Sequence, residues 1–140
     1  MPGSFRLEIV TPMRLAYEGE VSAIQAPGLD GYFGVLHNRA PLIAALGPGE
    51  VTFQEVNGPT RHLAIAGGFF QVARNRAVLL ADEALFAADI DRAAVERELQ
   101  EATAGLTGRV TSDEEREQLQ RTAAIARAKL KVAGRERRAG

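Results

Sequence analysis

Apolar residues recur at every second position up to about Ala84, and at every third or fourth position after Asp89. The first period belongs to strands and the second to helices, so the chain is expected to fold in two unlike halves. Phe5, Leu7 and Ile9 alternate with Arg6, Glu8 and Val10 as in a half-buried strand. Val51, Phe53 and Glu55 begin a strand that ends at Asn57-Gly58, a pair suited to tight hairpin turns. Its partner runs from Arg61 to Ala66, and Pro59 predicts a loop longer than two residues. Gly67-Gly68 breaks the pattern before Phe69–Ala73, and Arg74-Asn75-Arg76 turns the chain into Ala77–Ala81. Strand following strand with no helix between them implies antiparallel sheets in a sandwich or flattened barrel. Glycines and prolines crowd the stretch from Pro27 to Gly49, which reads as loops and short strands, the usual place for contacts.

In the second half, Val95, Leu99, Ala102 and Leu106 form one helical stripe. Leu119, Ala123, Ala126, Leu130 and Ala133 form another. Asp89 is the expected cap of the first helix, Ser112 with Glu115 makes a capping box for the second, and Gly134 is its expected stop. Gly105 and Gly108 lie at the break. The fold class is therefore α+β, an N-terminal antiparallel beta sandwich over residues 1–86 and a two-helix antiparallel hairpin over 87–140. Both stripes are rich in alanine, and burial contributes only about 25 cal/mol per Å² of apolar area. Such a hairpin is expected to open or leave the sandwich at modest cost.

Charge adds a second asymmetry. From Leu119 to Gly140 seven basic residues face one acidic residue, a charge of +6 within a chain whose net charge is -1, so the rest carries -7. Such a basic end, including a basic tail over 134–140, suits an acidic partner, or it complements the helix dipole. With 46% hydrophobic and 25% charged residues the chain reads as globular. No cysteine is present, which excludes disulfides and thiolate chemistry. No secretory signal is expected at MPGSFRLEIV, and Ala40–Leu46 is far shorter than the roughly 20 residues a membrane span needs. A soluble, cytoplasmic protein is the expectation, with membrane association through partners only.

Catalytic signatures are scarce. His37 and His62 are not in ligand spacing, and His62 reads as an ordinary strand residue. Ser4, Ser22 and Ser112 lie outside any nucleophile elbow. Gly28, Gly31 and Gly34 do not make a phosphate loop, because no strand–loop–helix unit surrounds them. Asp82 and Glu83 are adjacent, so on a strand they would point to opposite faces. The basic residues lack interleaved aromatics, which argues against nucleic acid. Two other readings stay open from the residues. One is a free-standing sandwich that binds a ligand and oligomerises through its helical tail. The other is a small hydrolase or isomerase on a jelly-roll scaffold.

Several local motifs appear in a telling order. Leu7-Glu8-Ile9-Val10-Thr11-Pro12 opens the chain, followed by Gly34-Val35-Leu36 and Ala40-Pro41-Leu42. Ala64-Ile65-Ala66-Gly67-Gly68-Phe69 with Val72 comes next, then Val78-Leu79-Leu80-Ala81-Asp82. This ordered set closely resembles the epsilon-subunit family of bacterial and chloroplast F-type ATP synthases (delta in mitochondria).

The resemblance implies a non-catalytic rotor subunit without cofactors. Its sandwich is expected to sit against the gamma subunit and on the membrane c-ring, with Gly31, Tyr32 and Arg39 in the c-ring contact loop. Its helices are expected to block ATP hydrolysis by reaching the alpha and beta head subunits through Arg121, Arg127 and Lys131. The resemblance also implies a location at the cytoplasmic face of a bacterial inner membrane, peripheral and as part of the F1 sector. Where many relatives have Pro-Gly-His before Ala-Pro, this chain has His37-Asn38-Arg39, which changes the charge of the loop. Relatives that bind regulatory ATP place an arginine three residues after the aspartate of an Ile-Asp pair, whereas Arg92 follows Asp91 directly. Two residues at 100° each rotate it about 200° around the helix, which argues against ATP binding through Glu83, Asp91, Arg92 and Arg127.

Overall fold

The computed structural model describes residues 3–110 and 112–139, with side chains described as far as Arg135 in the last helix. Nine strands come first: β1 Phe5–Val10, β2 Leu15–Gly28, β3 Gly31–Leu36, β4 Leu42–Leu46, β5 Gly49–Glu55, β6 Thr60–Ile65, β7 Gly68–Ala73, β8 Arg76–Ala81 and β9 Ala84–Phe86. A 3-10 turn at Ala87–Asp89 leads into α1 Arg92–Thr107 and then α2 Asp113–Ala139. The sandwich followed by two helices is the α+β arrangement read from the sequence. Of the basic tail 134–140, the side chains from residue 136 onward and the whole of residue 140 lie outside the described residues.

The strand order is β1-β8-β7-β4-β2-β5-β6-β9, with β3 on β2 and β1 also paired to β2. β2 runs for 14 residues and pairs with β1, β3, β4 and β5, so it is shared between the two layers. One pairing, β1 with β8, is parallel. Strands joined by a tight turn must run antiparallel, but β1 and β8 are far apart in sequence, so no turn fixes their direction. Phe5, Leu7 and Ile9 of β1, Val51 and Phe53 of β5 and Phe70 and Val72 of β7 fill the core between the layers. The phenyl rings of Phe33 and Phe70 meet edge-on at 5.6 Å.

The turns follow their residues. Gln54 faces Thr60 across a five-residue loop in which the Glu55 N–H donates to the Pro59 carbonyl, longer than Asn57-Gly58 alone would make it. Arg74 and Asn75 take φ of 53° and 59°, the paired left-handed geometry of a two-residue hairpin. At Gly68 a Cβ would lie 1.9 Å from the Leu80 carbonyl oxygen, and φ is +148°, so only glycine lets β7 and β8 close here.

The helix ends correct two expectations. Asp91, not Asp89, caps α1, its side chain accepting from the Ala94 N–H at 3.2 Å. Asp89 ends the 3-10 turn and lies 3.7 Å from Arg14. α2 does not stop at Gly134 but continues to Ala139, because one glycine costs a helix only about 1 kcal/mol. Ser112 caps α2 as expected, accepting from the Glu115 N–H at 3.0 Å. Gly105 lets the helices approach closely, since a Cβ there would lie 3.0 Å from Leu119.

Candidate functional site

The hairpin rests on the sandwich through α2, over β5 and β6. Strand alternation sets up that face. Val51 and Phe53 point into the core, so Glu50 and Thr52 point outward, and their partners Ala64 and His62 on β6 share the outer face. Ala64 is the apolar seat, packed with Ala128 and Val132 of α2 and with Ala87 and Ile90. That seam is small. Val132 is its one large, fully buried member on the helix, and burying such a side chain contributes about 1.5–3 kcal/mol.

Polar contacts surround the seam. Glu50 is 5% exposed and receives two hydrogen bonds from Arg135, each 2.9 Å. Lys131 Nζ lies 3.6 Å from the same carboxylate and His62 Nδ1 3.4 Å from it. The His62 ring also meets the Thr52 hydroxyl at 3.2 Å. Burial pushes the Glu50 carboxyl up, but Arg135, with His62 and Lys131, outweighs burial and holds it below the ordinary carboxylate range. Arg135 is raised in turn by its hydrogen bonds to Glu50. The ionised form of Glu50 is thus favoured although its carboxylate is buried.

Farther along α2, Lys129 reaches Glu83 at 2.8 Å. Arg121 donates to the Ala66 carbonyl at 2.8 Å and lies 3.5 Å from Asp82. Asp82 and Glu83 therefore both meet α2 instead of pointing to opposite faces, because they occupy the bend between β8 and β9, where strand alternation does not hold. A Cβ at Gly67 would sit 3.4 Å from the Arg121 guanidinium, so the double glycine also leaves room for this contact. Of the three cations expected to meet the head subunits, Arg121 and Lys131 are engaged by the sandwich and Arg127 is exposed. Glu50, Arg135 and the role of His62 were not read from the sequence, where a lone acid in a strand and a lone histidine look like solvated residues.

The expected c-ring loop is brought together in part. Gly31 and Arg39 line one depression with Leu29, Asp30 and Ile43, and the side chains of Leu29 and Ile43 are exposed. Tyr32 turns away from it, its hydroxyl accepting from the Glu50 N–H at 3.1 Å. The four residues considered for ATP are not gathered. Glu83 pairs with Lys129, Asp91 caps α1 and Arg127 stands exposed on α2. Arg92 pairs with Glu96 at 3.2 Å and lines a cavity with Lys131 and Arg135. No group of three metal-ligating side chains occurs among the described residues. No described helix is long and apolar enough to cross a membrane.

Comparison with known proteins matches residues 4–87, more than half of the chain, to the model of the ATP synthase delta/epsilon chain beta-sandwich domain. An ATP synthase epsilon chain of Anaeromyxobacter sp. (strain Fw109-5) is 41% identical over 129 residues, covering 92% of this chain and 97% of its own length. The epsilon chain of Chlorobaculum tepidum is 46% identical over 80 residues, 57% of this chain and 91% of its own. In solved structures, a chain of the Euglena gracilis mitochondrial ATP synthase superposes with a TM-score of 0.81 at 23% identity, covering 95% of this chain and 82% of that one. At that identity the likeness speaks for the fold alone. The matched sandwich model and relatives about two-fifths identical along nearly their whole length place the chain in the ATP synthase epsilon-chain family.

Proposed function

We propose that the chain is a non-catalytic coupling and regulatory subunit of the F1 central stalk, peripheral to the cytoplasmic face of a bacterial inner membrane. The sandwich binds the gamma subunit and turns with the c-ring, to which the loop with Gly31, Tyr32 and Arg39 is apposed. The hairpin is a movable inhibitor of ATP hydrolysis, and α2 engages acidic segments of the alpha and beta head through Arg121, Arg127 and Lys131. One observation carries the inhibitory reading. α2 is held to the sandwich by a small apolar seam ringed by ion pairs, so Arg121, Lys129, Lys131 and Arg135 already have acidic partners that a second acidic surface can replace. Regulatory ATP is not part of the proposal, because Glu83, Asp91, Arg92 and Arg127 each serve other contacts or stand apart.

The test is ATP hydrolysis by the matching alpha3-beta3-gamma complex, with the full chain and with a chain ending at Ala88. Suppression by the full chain alone, with both forms binding gamma, supports the inhibitory hairpin. Binding by both without suppression leaves only the coupling role, and failure of the full chain to bind removes the stalk assignment.

A further inference from the structure

We infer that Glu50 is the latch that sets how often α2 leaves the sandwich. The inference rests on the reading of α2 as a movable inhibitor and deepens it by naming the side chain that governs the movement. Glu50 is the one buried charged side chain among the described residues. It belongs to the sandwich, whereas Arg135 and Lys131, which hold its carboxylate, both belong to α2. They lie four residues apart on the helix face that also carries Ala128 and Val132, so the apolar seat and the latch close together.

The other anchors are weaker in kind. Arg121 and Asp82 are both exposed, so that pair is screened and replaced by water, and Lys129, though half-buried itself, meets a Glu83 carboxylate that is 47% exposed and keeps its water. At Glu50, two aligned hydrogen bonds run from the half-exposed Arg135 guanidinium to a carboxylate that is itself shielded from water. When α2 departs, His62 on β6 is the cationic or potentially cationic side chain that stays against the carboxylate among the described residues, with Thr52 beside that histidine and the Tyr32 hydroxyl on the Glu50 backbone N–H. Losing Arg135 while α2 still covers Glu50 is worse than losing the charge of Glu50 itself, because it leaves a covered carboxylate without its main partner.

The absence of cysteine permits a direct measurement on the full chain. A single cysteine in place of the buried Ala128 reacts with a thiol reagent only when α2 lifts, and a cysteine at the core residue Val72 reports unfolding of the sandwich instead. Glu50→Gln is expected to raise the labelling rate at residue 128 about tenfold, and Arg135→Met by more. The double variant is expected to fall well short of the product of the two, as for groups in one contact. Asp82→Asn is expected to change the rate less than about twofold, and labelling at residue 72 should not move. An unchanged rate at residue 128 in Glu50→Gln overturns the latch. If Glu50→Gln lifts α2 while hydrolysis by the complex is unaffected, the latch stands and the inhibitory reading fails. If α2 stays down in Glu50→Gln while truncation at Ala88 relieves inhibition, the latch fails and the inhibitory reading stands.

Discussion

At the scale of single residues, Glu50 ties docking of the hairpin to pH. Burial raises its carboxyl, but Arg135, His62 and Lys131 together lower it further, so the docked value lies below the ordinary range. On release the carboxyl returns toward that range. A group lowered in the docked state strengthens docking at every pH above its released value. That contribution declines as pH falls through the ordinary carboxylate range, and it is gone once pH is below the docked value. Docking is therefore expected to be flat with respect to Glu50 from pH 8 to about 5.5 and to weaken below about 4.5. An acid-tolerant disulfide reagent on Ala128→Cys, normalised to a free thiol at each pH, measures this. Wild type should open over the acid window, whereas Glu50→Gln should start more open and change less. Equal slopes in the two proteins would assign the acid response to another group.

At the scale of elements, what was legible followed from period and local chemistry. The strand alternation around Phe5–Val10, the long turn at Pro59, the Ser112 cap and the change of period near Asp89 are all decided within a few residues of chain. What stayed hidden depends on distant partners. The stripe Leu119, Ala123, Ala126, Leu130 reads as apolar from spacing alone. The face of α2 toward the sandwich, with Arg121, Ala128, Val132 and Arg135, reads as solvated because half of it is charged. Only the folded sheet puts acids beneath those cations, Glu50 of β5 at Arg135 and Asp82 of the bend between β8 and β9 at Arg121. Gly134 misled for a related reason, since a glycine that ends many helices is here overridden by the contacts of Val132 and Arg135 on either side. A Cβ at Gly134 meets nothing within 4 Å. Gly134→Ala is thus expected to stabilise α2 by about 0.5–1 kcal/mol. Slower amide exchange in the last turns of α2 would show it, and faster exchange would mean that the glycine relieves a strain the contacts do not reveal.

At the scale of the whole molecule, the sandwich over residues 1–86 has six basic and eight acidic side chains, a net -2, while the end of α2 from Leu119 carries +6, so counter-charges are joined in one chain. A tether makes that pairing local, with effective concentrations of the order of millimolar. An acidic surface elsewhere must therefore displace the sandwich from α2, not merely attract a free helix. The three anchors respond differently to salt because they differ in exposure. At about 1 M salt the screening length falls to about 3 Å, which weakens the exposed Arg121–Asp82 pair, and to a lesser degree Lys129–Glu83, more than the pair made to the buried Glu50 carboxylate. Raising salt from 0.1 to 1 M is therefore expected to change labelling at Ala128→Cys only slightly in an otherwise wild-type chain. In Glu50→Gln, docking depends on the exposed pairs and the small seam, so the same increase in salt should accelerate labelling several-fold. The contrast between the two slopes is the informative quantity. A steep dependence already present with Glu50 intact would mean that long-range attraction between body and helix holds α2 down, and that the buried carboxylate only fixes its register.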